Sequence, residues 1–454
     1  MTHYDLAIIG SGSGNSLIGP DFADWQIAII EESTFGGTCL NVGCIPTKMY
    51  VYPADIAEAI KEASRLGVDG GVDRVRWADI RDRVFGRIDP ISESGRDYRA
   101  HGTPSTTLYE AHAEFVGPGE LLLSTGETIT ADHIVLATGS RPTVPDVVTA
   151  SGVPFHTSDT IMRIDELPAR IAILGGGFIA AEFAHVFSAF GVATTVLARS
   201  APLLRHLDRE TATRFTEIVR KRWDVRTGTQ VVSAESIGDG VRLHVSDGST
   251  VEADLLLVAT GREPNADRMN LAAAGVDIHP DGRVIVDSCG RTTAAGVWSL
   301  GDVSSKHQLK HVANHEARVV AHNIAHPDDL VESDHRFVPS AVFTHPQLAS
   351  VGLTEEQAIA SGQPYVTAVQ AYGGTAFGWA MEDTTSVCKV LADPTSGQLL
   401  GAHIMGEQAA TLIQPLIQAM SFGLGARDMA RGQYWIHPAL TEVVENALLA
   451  LELD

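Results

Sequence analysis

An apolar run of strand type that breaks directly into a glycine-rich loop occurs twice in this chain. Tyr4–Ile9 leads into Gly10-Ser11-Gly12-Ser13-Gly14-Asn15, and Arg170–Leu174 leads into Gly175-Gly176-Gly177-Phe178-Ile179-Ala180. Glycines in that place let backbone N–H groups approach a pyrophosphate at the start of a helix, as in a dinucleotide-binding βαβ unit. Two copies predict two such units. With 454 residues the chain has room for them and for further domains.

In the first copy, the strand Gln26–Ile30 ends in Glu31, twenty-one residues after Gly10, where an acid bonds a ribose hydroxyl. The third glycine position holds Asn15, and Gly19-Pro20 shortens the following helix. In the second copy the third position is Ala180, which the pattern admits. A helix is expected over Ala180–Phe190 and a strand over Ala193–Ala198. That strand closes on Arg199 rather than an acid, and Arg205 follows. Arginines there favour a ribose 2′-phosphate. The second unit is therefore read as an NADPH site containing Gly175, Gly177, Ile179, Arg199 and Arg205. The first is read as an FAD site containing Gly10, Gly12, Gly14 and Glu31. Two matched apolar strands, from Ile134 and from Leu255, each end in Ala-Thr-Gly, which adds Thr138, Gly139 and Gly261 to the candidate contacts. A further strand from Val297 ends in Gly301-Asp302.

Just after the first unit runs Gly36-Gly37-Thr38-Cys39-Leu40-Asn41-Val42-Gly43-Cys44-Ile45-Pro46. Four residues between two cysteines make a loop short enough to close a disulfide, and the flanking glycines relieve a tight backbone. The chain has only 4 Cys, which excludes a disulfide-stapled scaffold, so the pair reads as a working redox disulfide. A net charge of −23 argues against nucleic acid or an anionic membrane as partner. No basic leader precedes the first apolar run, and no run approaches the ~20 residues of a membrane span. A soluble, cytoplasmic protein is expected, where a thiol enzyme needs no staples. His307, His311 and His315 have helical spacing but no accompanying Cys or acid ligand, so no metal site is expected.

Taken in order, these motifs resemble the pyridine nucleotide-disulfide oxidoreductases over nearly the whole chain. The resemblance also includes Val342-Phe343-Thr344-His345-Pro346 and, near the C-terminus, His437-Pro438. It implies an α/β protein with two Rossmann-like dinucleotide-binding domains and an α+β C-terminal dimerisation domain. The boundaries expected are 1–150 and 271–335 for FAD, 151–270 for NADPH and 336–454 for the interface, with Ala409–Phe422 as a candidate dimer helix. The resemblance makes Cys44 the charge-transfer thiolate beside the flavin, its pKa lowered by the helix that starts there. Cys39 becomes the thiol that attacks the substrate disulfide. Lys48 stands near the flavin with Glu182 as its partner, and Thr38 counts among the cofactor contacts. Asp302 bonds the ribityl chain, and the helix starting near Leu309–His311 points at the flavin, which brings in His311. His437 and Glu442 supply acid–base chemistry, His437 taking and returning a thiol proton at the disulfide of the partner subunit in a homodimer.

The reaction so implied is NADPH-dependent reduction of a small disulfide through FAD and Cys39–Cys44. The final residues Leu449–Asp454 contain no cysteine, unlike the tails of mercuric and large thioredoxin reductases. Glutathione reductases hold substrate carboxylates with arginines, and the matching stretches near Pro20 and at Val320–Asn323 contain none. A substrate with fewer charges and more hydroxyls fits that change. Mycothiol disulfide, a cysteine–sugar–inositol conjugate, is such a substrate, and Tyr434, Trp435 and Phe35 offer aromatic faces for its sugars. Glutathione disulfide or a dihydrolipoamide-type disulfide remain alternatives. So does a non-catalytic flavoprotein, although it would have no need to keep both cysteines with the Lys48–Glu182 and His437–Glu442 pairs.

Overall fold

The computed structural model describes residues 1–454. Its first sheet is built on Thr2–Ile9, which lies parallel to Ile27–Ile30 on one side and to Thr128–Leu136 on the other. Ile27–Ile30 and the Leu6–Ile9 half of the first strand are continuous apolar runs, as strands covered on both faces must be. Thr128–Leu136 is paired on its far edge by Glu120–Leu123 at its start and by Val297–Ser299 at its end. The chain thus leaves this unit and returns to complete its sheet.

The excursion forms a second parallel sheet, in the order Asp224–Thr227, Ala193–Ala198, Arg170–Leu174 and Leu255–Val258. The helix Phe178–Ala189 follows its glycine loop and starts two residues earlier than the spacing predicts. Ser140–Pro142 and Arg262–Pro264, where the chain exits and returns, pair antiparallel as a two-stranded link. The last unit is a five-stranded antiparallel sheet in the order Ser340–Val342, Gln347–Gly352, Leu399–Gly406, Val387–Ala392 and Val366–Ala371. Ala409–Phe422 is not one continuous helix. It breaks into Ala409–Leu412 and Gln414–Phe422 ahead of Pro415, and Leu412, Leu416, Ala419 and Met420 fill the core of their own unit. No helix is long and apolar enough to cross a membrane.

The first glycine loop departs most from expectation. No α-helix follows it, only the 3₁₀ turns Gly14–Leu17 and Pro20–Phe22. A Cβ on Gly14 would lie 2.7 Å from the Ala137 Cβ and 2.9 Å from Ile8 Cγ2. Gly14, rather than the residue after it, therefore provides the close approach of loop to sheet, and this leaves position 15 free for Asn. Arg99, from the helix Trp77–His101, uses that freedom: its Nε donates to Asn15 Oδ1 at 2.7 Å and Nη2 to the Asn15 carbonyl at 3.2 Å.

Candidate active site

The main cleft has a volume of about 560 Å³ and runs between the first glycine loop and the cysteine loop. Cys39 lies in the short helix Gly37–Asn41, and Cys44 is the first residue of the long helix Cys44–Glu62. As a dithiol the pair is asymmetric. The Cys44 thiol is brought down to about 7, chiefly by a hydrogen bond from Cys39; burial opposes this and the Lys48 ammonium, one turn along the helix, adds to it. The same hydrogen bond, together with burial, pushes the Cys39 thiol well above its ordinary range. The negative charge therefore rests on Cys44 and the proton on Cys39.

Lys48 reaches across to the helix Phe178–Ala189, where its Nζ meets both oxygens of Glu182 at 2.8 and 2.7 Å. Glu182 is buried, and its Oε1 also accepts the Phe343 N–H at 3.0 Å. The Phe343 ring lies beneath the ammonium, 4.8 Å from Nζ to its centroid. Sequence reasoning identified the Val342–Pro346 motif but gave Phe343 no role, because this contact joins residues far apart in the chain.

Gly10, Gly12, Thr38, Thr138 and Gly139 all line the cleft. A Cβ on Gly10, which has φ +106°, would collide with the Ala137 carbonyl, and Gly175 stands in the same relation to Ala259 in the second unit. Glu31 is held by the Ser11 N–H at 2.9 Å, the Ser11 hydroxyl at 2.7 Å and the Ser33 N–H at 2.9 Å. Gly301 and Asp302 close the cleft from the third element. Asp302 Oδ2 accepts the Ser140 hydroxyl at 2.6 Å, and Ser140 Oγ accepts Arg262 Nε at 2.8 Å. Ser140 and Arg262, missed in the sequence, lie where the two units are linked. Two buried polar atoms along the cleft, Thr138 Oγ1 and Asn41 Oδ1, have no partner in the chain. A cleft of this size, lined by the first glycine loop and by the carboxyl-bearing Glu31 and Asp302, suits an extended dinucleotide cofactor such as FAD.

Two expected contacts, Gly14 and His311, fall elsewhere. Gly14 is turned into the sheet. The His311 side chain points away from the cleft and bonds the Pro339 carbonyl at 2.9 Å, while its neighbours Gln308 and Lys310 face inward. Gly261 lies where the two units are linked, its carbonyl accepting the Thr143 N–H at 2.9 Å, and the space a Cβ would take there is open. Of the aromatic residues proposed for sugars, Phe35 is buried in the core and Trp435 packs on the C-terminal core, its Nε1 donating to the Ala430 carbonyl at 3.0 Å. Tyr434 alone is fully exposed.

In the second unit, Ile179 lines the main cleft, and space around Gly177 is open. Arg199 and Arg205 are both exposed at the end of Ala193–Ala198 and pair with no carboxylate. His437 Nδ1 lies 2.7 Å from Glu442 Oε1, which holds that carboxyl below its usual range. The imidazole is 70% exposed and stands outside the main cleft of its own chain.

Residues 4–317 match the protein family described as Pyridine nucleotide-disulphide oxidoreductase, and residues 338–448 match its dimerisation domain. The chain belongs to this family. It is an FAD- and NADPH-dependent disulfide oxidoreductase that forms homodimers. It is 58% identical to mycothione reductase of Mycobacterium tuberculosis, over 99% of this chain and 100% of that protein. Glutathione reductase of Burkholderia cepacia is 31% identical, with 97% of each chain covered. Among solved structures, the HOCl-induced flavoprotein disulfide reductase RclA from Escherichia coli superposes with a TM-score of 0.87 at 27% identity, covering 98% of this chain and 100% of that one.

Proposed function

We propose that this enzyme reduces mycothiol disulfide to mycothiol with NADPH in the cytoplasm. The observation that carries the reading is the asymmetric Cys39–Cys44 pair at the floor of the cofactor cleft; the 58% identity to a mycothione reductase supports the substrate. The open cradle at Gly177 and the unpaired Arg199 and Arg205 would hold the nicotinamide dinucleotide and its 2′-phosphate. Gly10, Gly12, Glu31, Thr138 and Asp302 would hold FAD, which when bound supplies the two-electron relay between nicotinamide and disulfide. Lys48, fixed by Glu182 and Phe343, stabilises negative charge beside Cys44.

Cys39 then attacks the substrate disulfide. One substrate sulfur bonds Cys39 and the other leaves as a thiolate. His437 of the partner subunit, oriented by its Glu442, protonates that leaving group; the high exposure of His437 on its own chain supports a role across the dimer. Cys44 next attacks Cys39, which restores the disulfide and releases the second thiol. The test is stoichiometric. Mycothiol disulfide added anaerobically to the NADPH-reduced holoenzyme is expected to release two thiols per NADPH consumed. Cys39→Ser is expected to release none, and equal release from that variant would overturn the proposal. Mixing two inactive homodimers, Cys39→Ser and His437→Gln, is expected to restore activity through the one intact site of each hybrid. Failure of active hybrids to form from exchanged subunits would refute the cross-dimer role.

A further inference from the structure

The loop that joins the strand Ala193–Ala198 to the helix Arg209–Val219 carries both unpaired arginines, Arg199 and Arg205. It contains neither helix nor strand, so its shape depends on what fastens it. Leu203, Leu204 and Leu207 are buried beneath it. The Leu204 N–H donates to the Gly176 carbonyl at 2.7 Å, which ties this loop to the second glycine loop. Leu204 has φ +55°, a left-handed conformation that a bulky residue keeps only where its surroundings hold it.

The far end of the loop is fastened from outside the unit. Asp208 is fully buried and caps the helix Arg209–Val219, accepting the Glu210 and Thr211 N–H groups at 3.2 and 3.4 Å. Capping alone needs no more than that. Asp208 also receives Lys389 Nζ on its two oxygens, at 3.2 and 3.1 Å, and the Glu355 N–H at 3.2 Å. Lys389 lies on the strand Val387–Ala392 of the C-terminal unit and is itself buried. Three carboxylates share its ammonium: Asp208, Glu355 at 2.6 Å and Glu210 at 3.4 Å. Desolvating such a group is unfavourable, and apolar side chains of similar volume would join the two units equally well. They would not fix Asp208, three residues from Arg205, in one place.

We propose that Lys389, acting through Asp208, is a positioning residue for the nucleotide 2′-phosphate: the C-terminal unit holds the loop that presents Arg199 and Arg205, and thereby sets the preference for NADPH over NADH. The inference rests on the reading of those two arginines as the phosphate clamp. Two guanidinium groups grip one phosphate only while their spacing is kept. Arg199 is placed by the strand end it follows. Arg205 has no such support and sits between two anchors, Leu204 on Gly176 and Asp208 on Lys389. Releasing the second anchor frees Arg205 without removing any group that touches the nucleotide, and it leaves the part of the site common to NADPH and NADH as it was.

The experiment is calorimetric titration of the oxidised, FAD-loaded dimer with NADP+ and with NAD+, which reads the phosphate contribution as the ratio of two dissociation constants. Lys389→Met is expected to weaken NADP+ binding roughly 3- to 10-fold and leave NAD+ binding unchanged. Asp208→Asn keeps a side chain that caps a helix equally well but loses the charge that Lys389 holds, and is expected to shift the ratio in the same direction. Glu355→Gln removes a partner of Lys389 without touching Asp208, and is expected to keep the wild-type ratio. A Lys389→Met protein that melts lower but keeps that ratio would overturn the proposal, as would one that binds both nucleotides equally more weakly. Where Lys389→Met does not fold, Asp208→Asn decides on the same terms. Arg199→Ala with Arg205→Ala is the reference: an unchanged ratio there would overturn the reading of the clamp itself. A collapsed ratio there beside wild-type ratios in Lys389→Met and Asp208→Asn would overturn the role of Lys389 alone.

Discussion

Replacing Lys48 with Met separates the two jobs of one ammonium, neutralising a buried acid and steadying a thiolate. The Glu182 side chain is 4% exposed, and after the substitution it keeps only the Phe343 N–H. Breaking a buried ion pair costs about 3–5 kcal/mol. Lys48 is itself 35% exposed and water reaches the pair, which places the expected loss at the lower end, about 3 kcal/mol. For a chain of this size that is a fall in melting temperature of roughly 3 °C. The Cys44 thiol, held at about 7 partly by Lys48, is expected to titrate higher. Glu182→Gln is expected to act on Cys44 in the opposite sense, because the carboxylate pushes that thiol up. Adding Glu182→Gln to Lys48→Met removes the stranded charge and is expected to recover much of the stability. Thermal unfolding of the FAD-loaded proteins reads the first effect. The pH dependence of the Cys44 thiolate absorbance in the reduced enzyme reads the second. A Lys48→Met protein that melts with wild type and titrates with it would refute the reasoning, as would a double variant no more stable than the single one.

Other substitutions test separate parts of the site. His437→Gln is expected to lower disulfide turnover at least ~100-fold while flavin reduction by NADPH proceeds at the wild-type rate in stopped flow. Arg199→Ala with Arg205→Ala is expected to weaken NADPH binding roughly 10- to 100-fold and leave NADH unchanged, measured as KM for each nucleotide. In the C-terminal unit, Lys389 (2% exposed) meets Asp208 (0% exposed) at 3.1 Å and Glu355 at 2.6 Å, tying that unit to the NADPH unit. Lys389→Met is expected to cost about 3–5 kcal/mol at neutral pH. Burial opposes the charge on Asp208, but His403 and Lys389 hold its carboxyl below the usual range. The stabilisation is therefore complete above about pH 4 and is lost as pH falls through the folded value, so wild type and variant are expected to converge in acid denaturation.

What was legible in the sequence was what short spacings encode. The Cys39–Cys44 loop, both glycine loops and the strands before them are local patterns, and the structure builds them where the residues predict. Lys48 and Glu182 lie on different helices, yet motif offsets were enough to pair them. Other features depend on tertiary contact. The third-glycine rule missed the role of Gly14, because whether a side chain fits depends on Ala137 and Ile8 across the sheet. His311 was placed correctly at a helix start, but its rotation about that helix was not visible, and the cleft receives Lys310 instead. The apolar run Ala409–Phe422 did not reveal its break ahead of Pro415, nor that one face of it fills the core of its own unit. Arg318, exposed and paired with no carboxylate, lies two residues before Val320–Asn323, and its exposure on the helix Lys310–Ala325 is set by the fold rather than by spacing.

The most direct measurement is steady-state NADPH oxidation by the FAD-loaded dimer with mycothiol disulfide, glutathione disulfide and lipoamide compared side by side. Turnover with mycothiol disulfide and little with the other two is expected. Preference for glutathione disulfide would contradict it and direct attention to Arg318 as a carboxylate anchor; no turnover with any of the three, despite flavin reduction, would contradict the proposed substrate class.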